Sequence, residues 1–166
     1  MELQFKHASI NDLERIVDTY NQTISSGIVT ADTEEQSIEN KINWFNSHNP
    51  TGRPIWLILH ESSYCGWISF SNFYGRPAYS ITSEISLYLD SNWQNKGIGK
   101  RALQFAISQA PSLGIENILG FIFSSNLPSI KLFMQLGFKE WGCLPNVAQI
   151  KDDRLDLIIL GLKVNE

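Results

Sequence analysis

The sequence predicts an α/β (α+β) fold in which a mixed, mostly antiparallel central sheet is flanked by helices. Three observations carry this expectation. Apolar residues recur at helical spacing near the start, a strand-rich centre with short turns follows, and strand and helix patterns then alternate to the end. At 166 residues, 43% hydrophobic and 11% aromatic, the chain has the apolar material for one compact domain, 1–166, with its own core.

Taken in order, residues 3–8 alternate as a strand does, and Ser9-Ile10-Asn11-Asp12 reads as a capping box opening a helix. Leu13, Ile16, Val17, Tyr20 and Ile24 form its apolar stripe, ended by Ser25-Ser26-Gly27. A second capping box, Thr33 to Gln36, precedes a helix with Ile38, Ile42 and Phe45 on one face. Prolines 50 and 54 then break the chain. Residues 55–59, 65–73 and 81–89 read as strands of an antiparallel meander, with turns at Ser62-Ser63 and Gly75-Arg76-Pro77. From Gly97 the period becomes helical (Ile98, Ala102, Phe105 or Ala106, Ala110) until Pro111 and Gly114. Residues 118–123 form a short buried strand, and Pro128 sits at a first helical position of a helix ended by Gly137. The last strands are residues 139–143 and 154–162.

Composition narrows the function. Thirteen basic against 17 acidic residues, a net charge of −4, give no field that attracts nucleic acid or an anionic membrane, so an anion site must be local. The start carries no targeting pattern and the chain no long apolar run, which predicts a cytoplasmic protein. His7, His48 and His60 lack metal-ligand spacing, so no metal is expected. Cys65 and Cys143 lie in apolar runs and read as buried structural thiols. Trp44, Trp56 and Trp67 read as core or interface residues.

The most informative stretch, residues 87–103, runs from a strand through a polar turn into a helix start. Its chemistry is that of an anion cradle. Gly97 and Gly99 let backbone approach a ligand closely, and the first amides of the helix have no internal partner. Lys96, Lys100 and Arg101 add cations there. The spacing fits neither the nucleotide P-loop nor the dinucleotide fingerprint.

Gln94-Asn95-Lys96-Gly97-Ile98-Gly99 fits the pattern Gln/Arg-x-x-Gly-x-Gly/Ala, and residues 126–138 fit Asn-x-x-Ser/Ala ending in Gly-Phe. With both motifs in this order, the sequence resembles the GCN5-related N-acetyltransferases (GNAT). The resemblance covers essentially the whole chain. More narrowly it resembles the branch acting on phosphinothricin, methionine sulfoximine and methionine sulfone, through Tyr20-Asn21 with Thr30, Trp44-Phe45, Arg76-Pro77-Ala78-Tyr79, residues 83–89 and Leu155-Asp156-Leu157. It implies acetyl-CoA as cosubstrate, its pyrophosphate on residues 94–100. Backbone amides of Leu87, Tyr88 and Leu89 would bind pantetheine and polarise the thioester carbonyl, and Asn126 would bond the cofactor as well as cap its helix. Trp93 would flank the cofactor. A homodimer is also implied.

Strand alternation puts Glu84 on one face with Ser86 and Tyr88, and its position matches the branch's glutamate, which makes it the candidate general base. Arg76 is the candidate for a substrate carboxylate, since a guanidinium can hold one with two parallel bonds. The branch resemblance adds Tyr79 and Val29 or Thr30 to the acceptor pocket. Phe133 departs from the tyrosine that many family members place there as the thiolate's acid, so the thiolate leaves unassisted or takes its proton from water or from another group, for which Tyr88 is one candidate. The leading expectation is direct acetyl transfer to the α-amino group of a small amino acid or analogue. The alternatives are another amine (a protein N-terminus or a polyamine) and a non-catalytic acyl-CoA sensor.

Overall fold

The computed structural model describes residues 2–165. Its elements are β1 (Leu3–His7), α1 (Leu13–Asn21), α2 (Ile38–Asn46), β2 (Ile55–His60), β3 (Ser63–Asn72), β4 (Thr82–Leu89), α3 (Ile98–Gln109), β5 (Asn117–Phe123), α4 (Leu127–Gln135), β6 (Lys139–Ile150) and β7 (Asp153–Lys163). The strands form one sheet in the order β1-β2-β3-β4-β5-β7-β6. Every pairing is antiparallel except β4 with β5, whose strands run parallel with α3 between them in sequence. The mixed, mostly antiparallel sheet is as the sequence predicts.

Period-two alternation sends neighbouring residues into two different cores. On one face Ile58, Ile68, Phe70 and Ile85 meet α3 and α4. Ile98, Ala102, Ala106 and Ala110, at helical spacing, are at most 1% exposed, so α3 buries the stripe that the sequence marks. On the other face Ile55, Leu57 and Trp67 pack with Ile16 of α1, beside Trp44, Tyr20 and Tyr88. Trp56 and Trp67 are core residues.

Several local expectations need correction. Ser9 and Asp12 do form a capping box, but they open a 3-10 turn that leads into α1, and Ile24 falls in a separate 3-10 turn. The predicted box at Thr33 to Gln36 caps nothing, because Ser37 accepts from the Asn40 amide and starts α2. Gln36 is instead clasped by the Asn21 side chain, which accepts from its N–H at 2.8 Å and donates to its carbonyl at 2.9 Å. In α4, Asn126 is the cap and Pro128 takes the second position. β6 runs on to Ile150, well past residue 143, since β7 supplies a continuous partner with two register shifts. On that edge strand Cys143 is exposed, so of the two cysteines only Cys65 is a buried thiol.

One feature of the sheet positions the candidate site. β3 pairs with β4 as far as Gly66↔Leu89, and β7 pairs with β5 as far as Leu157↔Phe123. The β4–β5 ladder, however, ends at Glu84↔Leu119. Residues 85–89 and 120–123 therefore face each other across a gap, with backbone groups that strand pairing leaves available to a ligand.

Candidate active site

The gap is a cleft lined by Glu84, Ser86, Leu87 and Tyr88 of β4, by Gly120, Phe121 and Ile122 of β5, and by Asn126, Ser129, Leu132 and Phe133 around α4, with Val29 at its mouth. Gly120 is what lets α4 lie this close. A Cβ there would stand 2.8 Å from Phe133 Cε2, so the phenyl ring packs directly on the β5 backbone.

At one end of the cleft, Gly99 sits between Leu132 and Leu87, where an added Cβ would be 3.3 and 3.5 Å from their methyl groups. This packing brings the start of α3 against two residues that line the cleft. Gly97, at φ +77°, is the residue before the helix, and no side chain caps α3. Its first amides are left open, with the positive end of the helix dipole behind them. The turn leading in is braced. Asp90 accepts from the Asn92 amide, Gln94 donates to the Leu89 carbonyl, Asn95 takes φ +59°, and Gln22, the residue after α1, ties down Ser91 and Asp90. Lys96 lies over the Trp93 ring, and Lys100 is exposed on the first turn of α3.

Asn126 is 7% exposed, lines the cleft and accepts from the Ser129 amide at 3.4 Å. Capping and cleft lining therefore coexist in one side chain. Glu84 is half-buried, and burial raises its carboxyl above the ordinary value. Tyr88 is pushed up to about 12, chiefly by burial, so its hydroxyl keeps its proton at neutral pH.

Ser86 and Tyr88 also line a second cavity, of about 170 Å³, on the α1–α2 face. Its other walls are Ile16, Val17, Tyr20, Lys41, Trp44 and Trp67. The Tyr88 ring meets Trp67 at 4.9 Å and the edge of Tyr20 at 5.0 Å. The Tyr20 hydroxyl donates to the Asp32 carboxylate and contacts the buried Thr30 hydroxyl, pinning the 27–37 segment against α1. Burial and the bond to Asp32 raise the Tyr20 hydroxyl. Two chambers thus meet at two β4 side chains.

Arg76 and Tyr79 are not brought into either chamber. They line a groove with Asn72, Phe73 and Pro77, and both are exposed. An aromatic path joins that groove to the cleft, since Phe73 contacts Tyr79 at 5.4 Å and stacks on Phe121 at 6.4 Å. Residues that the sequence reading missed are Lys41, Trp44 and Trp67 as cavity walls, Tyr20 with Asp32, and Phe121. The Lys41 and Trp44 spacing on α2 marks one helix face, but nothing local says that this face meets β4.

Residues 13–138 match the acetyltransferase (GNAT) family. The chain is 45% identical over 159 residues to YwnH of Bacillus subtilis (strain 168), provisionally named as a phosphinothricin acetyltransferase, covering 95% of this chain and 97% of that protein. The chain belongs to the GNAT family. It is accordingly an N-acetyltransferase by family. It is also 28% identical to the L-methionine sulfoximine/L-methionine sulfone acetyltransferase of Pseudomonas aeruginosa, over 99% of this chain and 96% of that one. Among solved structures, a GNAT superfamily phosphinothricin acetyltransferase from Sinorhizobium meliloti, in complex with acetyl-CoA, superposes with a TM-score of 0.91 at 26% identity, covering 98% and 89% of the two chains.

Proposed function

We propose that this GNAT protein, acting as the single domain 1–166, transfers acetyl from acetyl-CoA directly to the α-amino group of a small amino acid or analogue of the phosphinothricin or methionine sulfone type. The observation that carries the reading is the open β4–β5 ladder, with a glycine-bounded, uncapped helix start at one end and a second chamber meeting it at Ser86 and Tyr88. In this reading the pyrophosphate lies on residues 94–100, the pantetheine threads the gap, and those backbone groups of residues 87–89 that point away from β3 hold it and polarise the carbonyl. Asn126 supplies a further polar contact. The cleft is a match for an extended, amide-bearing arm with an anionic end.

Glu84 takes the ammonium proton, directly or through water. The amine nitrogen then bonds the carbonyl carbon, the C–S bond breaks, and the thiolate leaves and is protonated. Phe133 has no proton to give, and Tyr88, protonated at neutral pH and shared by both chambers, is assigned that step. Neither cysteine lines the cleft, which supports direct transfer. Val29 of the cleft wall, with the buried Thr30 beside it, is assigned to the acceptor side, while Arg76 and Tyr79 stay in the neighbouring groove, outside both chambers. A cytoplasmic homodimer is part of the same reading. The exposed apolar residues Trp141, Leu144 and Val147 of edge strand β6 support self-association, which sedimentation would read directly.

The test is thiol release from acetyl-CoA with methionine sulfoximine, methionine sulfone, phosphinothricin, ordinary amino acids, spermidine and a short peptide. Selective turnover of the first three supports the reading. Turnover confined to spermidine or peptide, or acetyl-CoA binding without turnover, overturns it in favour of another amine or a sensor. A companion prediction concerns Gly97, whose φ of +77° costs an L-residue about 1–2 kcal/mol. Gly97→Ala should lower Tm by a few degrees. Among the described residues nothing lies within 4 Å of the added Cβ, so the methyl would enter the open space that this reading assigns to the pyrophosphate and weaken acetyl-CoA binding by calorimetry.

A further inference from the structure

The α1–α2 cavity contains a cation with no assigned role. Lys41 lines it, and its Nζ lies 4.9 Å from the Tyr20 ring centroid and 5.8 Å from that of Trp44. Aromatic faces hold the ammonium in place, and among the described residues none gives its three N–H donors an oxygen acceptor. Among the described residues no carboxylate pairs with it. The remaining walls divide in two. Ile16, Val17, Trp44 and Trp67 are apolar or aromatic, and Ser86 and Tyr88 adjoin the cleft that contains Glu84.

We propose that Lys41 is the specificity residue that takes the α-carboxylate of the acceptor, with its amine directed at Ser86 and Glu84 and its side chain against Trp44 and Trp67. The inference rests on the amino-acid reading above and locates the determinant of that substrate class. A compact zwitterion suits this chamber because its two charges meet opposite ones, Lys41 at one wall and ionised Glu84 beyond the other. The apolar walls select a side chain without net positive charge. Arg76, exposed in a groove of its own, is the competing cation.

Lys41→Met tests this with the alkyl stem, and hence its packing on Tyr20 and Trp44, largely kept. Trp44 and Trp67 line the cavity, so ligand entry can be followed by their fluorescence in protein saturated with coenzyme A. The probes are L-methionine sulfone and 3-(methylsulfonyl)propylamine, the same molecule without its carboxylate. Wild type is expected to prefer the amino acid. Lys41→Met should weaken its binding about 10- to 100-fold, the worth of a charge-assisted hydrogen bond, and leave the amine unchanged. Lys41→Arg should restore most of the preference, and Tm should not move. Equal weakening of both ligands, no preference in wild type, or a selective loss in Arg76→Ala but not in Lys41→Met overturns the proposal. Because the readout is binding, failure of turnover on the amine panel is a separate result that falls on the function reading.

Discussion

Glu84→Gln is expected to lower kcat by about 10²–10⁴ while acetyl-CoA affinity and the fold are retained. The glutamine keeps the shape and polarity of the carboxylate and removes its ability to accept a proton. The side chain lines the cleft one β4 alternation from Ser86 and two from Tyr88, the residues shared with the α1–α2 cavity. Its pH signature follows from the burial that raises its carboxyl above the ordinary value of 4.5. Activity requires the ionised form, so the acidic limb of kcat/KM should lie above 4.5 and disappear in the variant. The same shift has the opposite effect on stability. A carboxyl whose folded pKa exceeds its unfolded value favours the fold below the unfolded pKa, and that contribution is lost as pH rises through the folded one. Glu84→Gln should therefore raise Tm at neutral pH and raise it less in acid. Unaltered turnover in the variant would remove Glu84 from the mechanism.

Gly66→Ala should be a strongly damaging single-methyl change in the sheet. A Cβ at 66 would stand 2.2 Å from the Tyr88 carbonyl oxygen and 2.8 Å from Leu89 Cα, both backbone atoms of a paired strand that no rotamer change can clear. A cost of about 3 kcal/mol sits at the upper end for overpacking. For a chain of this size it lowers Tm by roughly 10 °C. The function should suffer as well. The strand pushed aside is the one whose free edge at residues 87–89 forms the wall of the cleft, so acetyl-CoA affinity should fall with Tm. Gly75→Ala is the control. Gly66 at φ +155° and Gly75 at φ +68° both hold a positive φ that an L-residue rarely adopts, but among the described residues nothing lies within 4 Å of a Cβ at Gly75. Equal Tm losses in the two variants would show that backbone conformation, and not the approach of β4, is what Gly66 provides.

How legible the site was depends on whether its signal is local. The glycine loop is one continuous strand-turn-helix segment, and Gly97 at positive φ before an uncapped α3 is a property that residues 94–99 carry themselves. Glu84, Ser86 and Tyr88 share a face because strand alternation requires it, whatever else the chain does. Capping was less legible, since Thr33 to Gln36 has the letters of a capping box while Asn21, from another element, holds Gln36. The sequence pattern ends β6 at residue 143, because only its pairing with β7 carries it further.

The sequence by itself determined the order of elements, the mixed mostly antiparallel sheet, the glycine turn that opens α3 and the face on which Glu84 stands. Each of these is set by periodicity or by conformational preference within a few residues. Tertiary structure alone decided that the β4–β5 ladder stops at Glu84, that Lys41 and Trp44 of α2 come to face Ser86 and Tyr88 of β4, and that Arg76 lies in a separate groove. These depend on where strands part and helices dock. Those are balances of packing between residues distant in sequence, and no local pattern encodes them.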